Sequence, residues 1–235
     1  MSPSRGIRGF WLVPALLLGS LAAAGEGTPY LAHRDFLPRM REVRAVGIVK
    51  PRMRVFELEA DGNRTRKPDW GERADAAIAQ GLVQALTARG LEARLIEPTP
   101  ETAQELEDVA LLFANVSRGA TFAKAHGFSA TAGRFQYSVG DLASLLDRHH
   151  VDAIVLAGGS ANISSGGRTT LQVLAGLVGG PVSVGVDTLY VGIAARNGDL
   201  LWLDGQASTE HDVRDPKSAA RFVAEVIAEL PEARP

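Results

Sequence analysis

The sequence predicts an α/β or α+β domain, a mixed sheet with helices packed on it and an antiparallel hairpin near the carboxyl terminus. Three observations carry this. Helical and strand-like apolar patterns interleave along most of the chain. Two apolar runs, 182–195 and 200–208, flank the turn Arg196-Asn197-Gly198-Asp199, and Asn-Gly between apolar runs signals a hairpin because both residues tolerate positive φ. The composition, 46% hydrophobic and 22% charged over 235 residues, suits one ordinary globular core.

The amino terminus has the layout of a secretory signal peptide. Arg5 and Arg8 supply a positive n-region, residues 10–21 an apolar core, and Ala22-Ala23-Ala24 the small residues of a cleavage site after Ala24. The apolar run falls short of the roughly 20 residues that span a bilayer, so a cleaved leader is expected rather than an anchor. This makes the expected location periplasmic and the mature chain not membrane-spanning. Residues 25–42 read as an extended, partly disordered lead-in, and 43–231 as a single domain.

Within the domain, 43–51 holds a first strand and 52–60 a second, alternating one, closed by the turn Asp61-Gly62-Asn63. Residues 70–89 form the clearest helix. Ala74, Ala77, Ile78, Leu82, Ala85 and Leu86 recur at spacings of three and four, with Asp69 as N-cap and Gly90 at C′. A short strand over 91–97 is stopped by Pro98. Thr99 and Pro100 open a second helix bearing Leu106, Val109, Ala110, Leu112 and Phe113. Residues 117–137, rich in Gly, Ala, Ser and Phe, read as a helix with a loop. Ser138 caps a helix over 139–150. The apolar run 151–157 is a buried strand that enters a small-residue loop over 158–168, followed by a small helix at 169–178 and then the hairpin. Asp215-Pro216 opens the last helix, with Phe222, Val223, Val226 and Ile227 on its core face, and Pro231 ends it.

Function is less explicit. The absence of cysteine removes disulfides, thiolate metal sites, a cysteine nucleophile and a lipid-modified amino-terminal cysteine. A formal net charge of -2 gives no global attraction for nucleic acid. The five histidines show no metal-ligand spacing, so no metal site is assigned; His149 and His150 are placed to sit at the negative end of a helix dipole. No serine lies in G-x-S-x-G, and neither a catalytic residue nor a cofactor is assigned. The loop over 158–168, with Gly158, Gly159, Ser160, Gly166, Gly167 and Arg168, is a candidate for holding an anion on backbone N–H groups. It matches neither nucleotide-binding signature, and close packing of small residues is the duller explanation. Lys50, Arg52 and Arg54 share one face of a strand and suit either an acidic partner or a charged, protected sheet edge. Asp187, on an apolar strand, is a candidate interaction residue that could also be catalytic, with a partner arginine or an exposed face as the commoner explanation.

A buried strand entering Ser164-Ser165-Gly166-Gly167-Arg168, a long strand and turn leading to Asp199-Leu200-Leu201-Trp202, and a terminal helix carrying Ala219-Ala220-Arg221-Phe222-Val223 together resemble a known group. These are the envelope proteins of the curli-secretion-channel (CsgG-like) group and, more distantly, the TolB amino-terminal domain. The resemblance spans roughly residues 43–231 in order of elements. It implies a periplasmic, oligomer-prone, non-enzymatic domain that meets an envelope protein partner within an assembly or secretion system. The chain lacks the group's lipid-carrying cysteine and its long amphipathic pore strands, so pore formation is not implied. Two alternatives stand beside this expectation: a periplasmic small-ligand or anion-binding domain using residues 158–168, and a hydrolase with an unrecognised site.

Overall fold

The computed structural model describes residues 30–59, 61, 63–125, 135–165 and 185–232. Among them, eight strands form one mixed sheet with helices on both faces, the predicted α/β class. In chain order the elements are β1 (Leu31–Ala32), α1 (Phe36–Met40), β2 (Ala45–Ile48), β3 (Arg52–Leu58), β4 (Arg64–Arg66), α2 (Pro68–Ala88), β5 (Glu92–Leu95) and α3 (Ala103–Ala125). They continue with α4 (Ala143–His149), β6 (Ala153–Ser164), β7 (Asp187–Ala195), β8 (Leu200–Ser208) and α5 (Pro216–Ala228).

The sheet is built around β6. On one side β7 runs antiparallel to it from Ala153↔Ala195 to Ser160↔Thr188. On the other side two parallel strands lie end to end. β2 pairs with the start of β6 through Val46↔Ala153, and β3 with its far half, from Arg52↔Gly158 to Leu58↔Ser164. The chain breaks between them at Pro51, which has no N–H to offer a ladder. β5 extends the sheet beyond β2, β4 beyond β3, and β8 and then β1 beyond β7.

Apolar alternation along the strands feeds two cores. On one face Val46, Ile48, Met53, Val55, Val155, Val191, Ile193 and the fully buried Trp202 pack under α1, α2 and α5. Gly81 lets α2 and α5 approach closely: an added Cβ would lie 3.1 Å from the Ala220 Cα. On the other face Ile154, Leu156, Ala194 and Leu203 pack under α3 and α4 through Phe113, Leu142, Leu145 and Leu146. Burying one such side chain contributes roughly 1.5–3 kcal/mol, so both faces matter to stability.

Several sequence expectations are corrected. Part of the predicted lead-in is ordered. Residues 31–32 add an edge strand to β8, and Phe36 and Met40 enter the core. Helix α2 starts at Pro68 after Lys67, and Asp69 lies in its first turn, paired with Arg73 at 2.9 Å, rather than at the N-cap. Helix α4 begins at Ala143, not after Ser138. The N–H groups of Val139 and Leu142 are drawn instead to the carbonyls of Gly198 and Arg196 in the hairpin turn. That turn takes positive φ at Gly198 alone among its residues. The Gly198 N–H donates to the Ala195 carbonyl, and the Ala195 N–H donates to the Asp199 carbonyl, a three-residue hairpin loop rather than a two-residue turn.

The largest correction concerns residues 158–164. They are not a loop, because β6 continues through them. Neighbouring backbone crowds both glycines, severely at 159 and only slightly at 158. A Cβ on Gly158 would lie 3.1 Å from the Arg52 carbonyl oxygen, and one on Gly159 would collide with the Thr188 carbonyl. Arg52 and Arg54 do lie on a protected sheet edge: β4 pairs only with Phe56–Leu58, and beside Arg52 and Arg54 the outward Met53 N–H is taken by the Asp75 side chain rather than by a strand. Gly166, Gly167, Arg168 and the predicted small helix at 169–178 lie outside the described residues.

Candidate functional site: an arginine-lined cleft

The face of the sheet that packs under α3 and α4 changes character along β6. Ile154 and Leu156 belong to the core; two and four residues past Leu156, the same face presents Gly158 and Ser160. The registers of β3 and β7 set the neighbours. Arg52, Gly158 and Tyr190 form one row across three strands, and Arg54, Ser160 and Thr188 the next. Arg66 on β4 stands opposite Phe56, a diagonal neighbour of Arg54 on the same face. The far half of α3 supplies Leu111, Ala114, Ser117 and Arg118 as the opposing wall. The result is a cleft of about 330 Å³ with a small, polar floor, four arginines, and an apolar wall at Leu111 and Ala114.

The guanidinium groups differ in how they are committed. Arg52 donates to Glu107 at 2.5 Å. Arg118 is tied to its own helix through the Ala114 carbonyl and the Asn115 side-chain oxygen. Arg54 and Arg66 are exposed and make no ion pair among the described residues. Two unpaired like charges at diagonal cross-strand distance repel one another, and an anion between them would relieve that. The hydroxyls of Ser160 and Thr188 lie 3.2 Å apart on the floor. The Ser117 hydroxyl is spent on the Phe113 carbonyl at 2.8 Å.

One carboxylate joins this basic site. Asp75 comes from α2, whose apolar stripe packs on the opposite face of the sheet, and meets the cleft where β2 gives way to β3. Its Oδ1 accepts the Met53 N–H at 2.7 Å. Burial pushes its pKa up to about 6, against the Met53 N–H and the charges of Lys50 and Arg52, which favour the ionised form. Asp75 also borders a second hollow of about 350 Å³, lined by Lys50, Pro51, Ile96, Pro98 and Glu107.

Of the candidates named from sequence, Gly158, Gly159, Ser160, Arg52 and Arg54 therefore converge. They do so through strand pairing and not through a phosphate-type loop. Lys50 faces the second hollow. Asp187 lies elsewhere, at the start of β7, in a small hollow of about 160 Å³ with Asn162, His211 and Asp212. It is 4% exposed, which overturns the exposed-face expectation. Its partner among the described residues is the Asn162 N–H at 2.8 Å and not an arginine. Burial raises its pKa to about 6, and the nearby Asp212 adds to the rise. His149 and His150 sit at the carboxyl end of α4 as expected, and Arg94 donates to both of their carbonyls there. Burial lowers the pKa of His149, opposite to what the helix dipole would do.

Sequence reasoning missed Arg66, Arg118, Asp75, Thr188 and Tyr190. Arg66 had a faint signal, as one of two arginines at alternate positions just past a turn. Among the described residues, no group of three or more His, Cys, Asp or Glu is placed to hold a metal ion, and no helix is long and apolar enough to cross a membrane. No protein-family model and no curated protein sequence matches the chain.

Proposed function

We propose that this chain is an exported domain that binds a small anionic ligand in the cleft between α3, the far half of β6 and the first residues of β3 and β7. The observation that carries it is the pair Arg54 and Arg66, uncommitted among the described residues and set beside a floor of glycine and hydroxyls. Export rests on the leader-like residues 1–24; the mature protein from its native envelope is expected to begin at Gly25 by mass spectrometry. The binding reading is tested by thermal unfolding with added phosphate or citrate. At a hundredfold excess over Kd a ligand adds about 2.7 kcal/mol to native stability, a rise of about 5–10 °C for a domain of this size. That rise should vanish in Arg54→Ala/Arg66→Ala. An equal rise in the double variant, or none in either protein, overturns the proposal.

A second reading, protein contact within an envelope assembly, is favoured by the open strand β5. Among the described residues it pairs with β2 alone and leaves Leu95 44% exposed. Ala93→Pro should then abolish an oligomer seen in analytical ultracentrifugation. A monomer at all concentrations speaks against homo-oligomer formation through this edge.

A further inference from the structure

A site meant for a bare anion gains nothing from a carboxylate among its arginines, because that charge repels the ligand. Asp75 nevertheless borders the cleft beside Met53 and Arg52. It is fixed rather than incidental, since its Oδ1 accepts the Met53 N–H at 2.7 Å. No hydrogen bond to its Oδ2 occurs among the described residues. An ionised carboxylate only accepts hydrogen bonds, so whatever meets Oδ2 must donate. An ammonium group is a poor choice there. Lys50 and Arg52 already favour the ionised form of this carboxylate, and the cleft it borders also carries Arg54, Arg66 and Arg118, so a further cation is not favoured there. A hydroxyl donates without adding charge. The rest of the lining agrees. Ser160 and Thr188 can donate or accept, Tyr190 offers a ring and a hydroxyl, and Leu111 offers an apolar wall at 48% exposure. At about 330 Å³ the cleft is at the small end of ligand pockets, which run from roughly 300 to 1,000 Å³, and suits one ring-sized unit.

Resting on the anion-binding reading, we infer that the ligand is a hydroxylated anion of the sugar-acid or sugar-phosphate type, its charge held by Arg54 and Arg66 and a hydroxyl held by Asp75. The test is isothermal titration of the purified full-length chain with four probes: glucuronate, glucose 6-phosphate, acetate and inorganic phosphate. At least one sugar should bind ten times more tightly than the plain anion bearing the same charged group. Which sugar wins tells a carboxylate ligand from a phosphate ligand. Asp75→Asn keeps an acceptor for the Met53 N–H. It should cut the sugar's advantage about tenfold without weakening the plain anion, which binds as well or better once the repelling charge is gone. The comparison between probes on the unaltered chain stands even if that variant folds poorly. Equal affinity for sugar and plain anion, or an advantage unchanged in Asp75→Asn, overturns this inference and leaves the anion-binding reading intact. No heat from any of the four probes overturns both.

Discussion

Gly158 and Gly159 are adjacent in sequence, yet alanine should behave very differently at the two positions. At 159 the new Cβ would fall inside the van der Waals shell of the Thr188 carbonyl and 3.2 Å from the Leu189 Cα. Both obstacles are backbone of β7, which cannot rotate aside as a side chain can. At 158 the nearest obstacle is the Arg52 carbonyl oxygen at 3.1 Å, with the next atoms at 3.8 and 3.9 Å, so a small shift suffices. Overpacking costs about 1–3 kcal/mol, and prising β6 from β7 adds one or two ladder bonds at about 1 kcal/mol each. The loss of unfolded-chain entropy in Gly→Ala returns about 0.4–1 kcal/mol in both variants. The net cost is therefore about 2–4 kcal/mol for Gly159→Ala and about 1 kcal/mol or less for Gly158→Ala. With a urea slope near 2 kcal/mol/M, the midpoint should fall by about 1–2 M for the first and by less than about 0.5 M for the second. Urea unfolding followed by tryptophan fluorescence measures both. Equal midpoints for the two variants would refute the claim that β7 backbone dictates glycine at 159.

Two further outcomes follow from other sites. Gly198 and Gly90 have φ of +83° and +80°, but a Cβ at 198 would collide with the Gly140 carbonyl while one at 90 meets nothing within 4 Å. Gly90→Ala should cost about 1 kcal/mol from its backbone conformation alone, and Gly198→Ala at least about 2 kcal/mol more; thermal melts within 2 °C of each other would count against this. Burial pushes the Asp187 pKa up to about 6, above the ordinary aspartate range, so the folded state holds its proton more tightly than the unfolded chain does. The stability this contributes is complete below about pH 4 and is lost as pH rises through about 6. Asp187→Asn keeps an acceptor for the Asn162 N–H, so it should match the parent near pH 4 and melt higher at pH 8; a lower melting temperature at pH 8 would show the carboxylate is needed ionised.

Local chemistry made much of this fold legible. The spacing of Ala74, Ile78, Leu82 and Leu86 gave α2 its buried stripe, and Asp215 caps α5 by accepting the Ser218 N–H at 2.8 Å. The hairpin was equally local, and Trp202 within it is fully buried. What escaped depended on distant pairing. Gly158-Gly159-Ser160 has the composition of a loop, and only the carbonyls of Arg52 and Thr188 on either side turn it into strand. Ser138 looks like a cap until the hairpin turn takes the amides that a helix would have used. The cleft was half visible. Arg52 and Arg54 declared their shared face by alternation, but Tyr190, Thr188, Arg118 and Asp75 join them through registers that a single sequence does not encode locally.

The end-to-end placement of β2 and β3 along β6 also bears on how the chain reaches this state. Before β6 exists β3 lacks its longest partner and β2 has β5 alone; Ala45 meets Asp152 across 107 positions. The contact of Arg39 with Asp199 spans 160. Closing loops of that length before any ladder forms places the chain among slow folders, since mean contact separation governs rate more than stability does. During synthesis the first hundred residues can form α2, the β3–β4 pair and the β2–β5 pair, but not the strand that joins the two pairs. A chain of this topology stays open until β6 emerges, and for that interval the sides of β2 and β3 that β6 will cover are unpaired edges that a chaperone can hold or a neighbouring copy can capture.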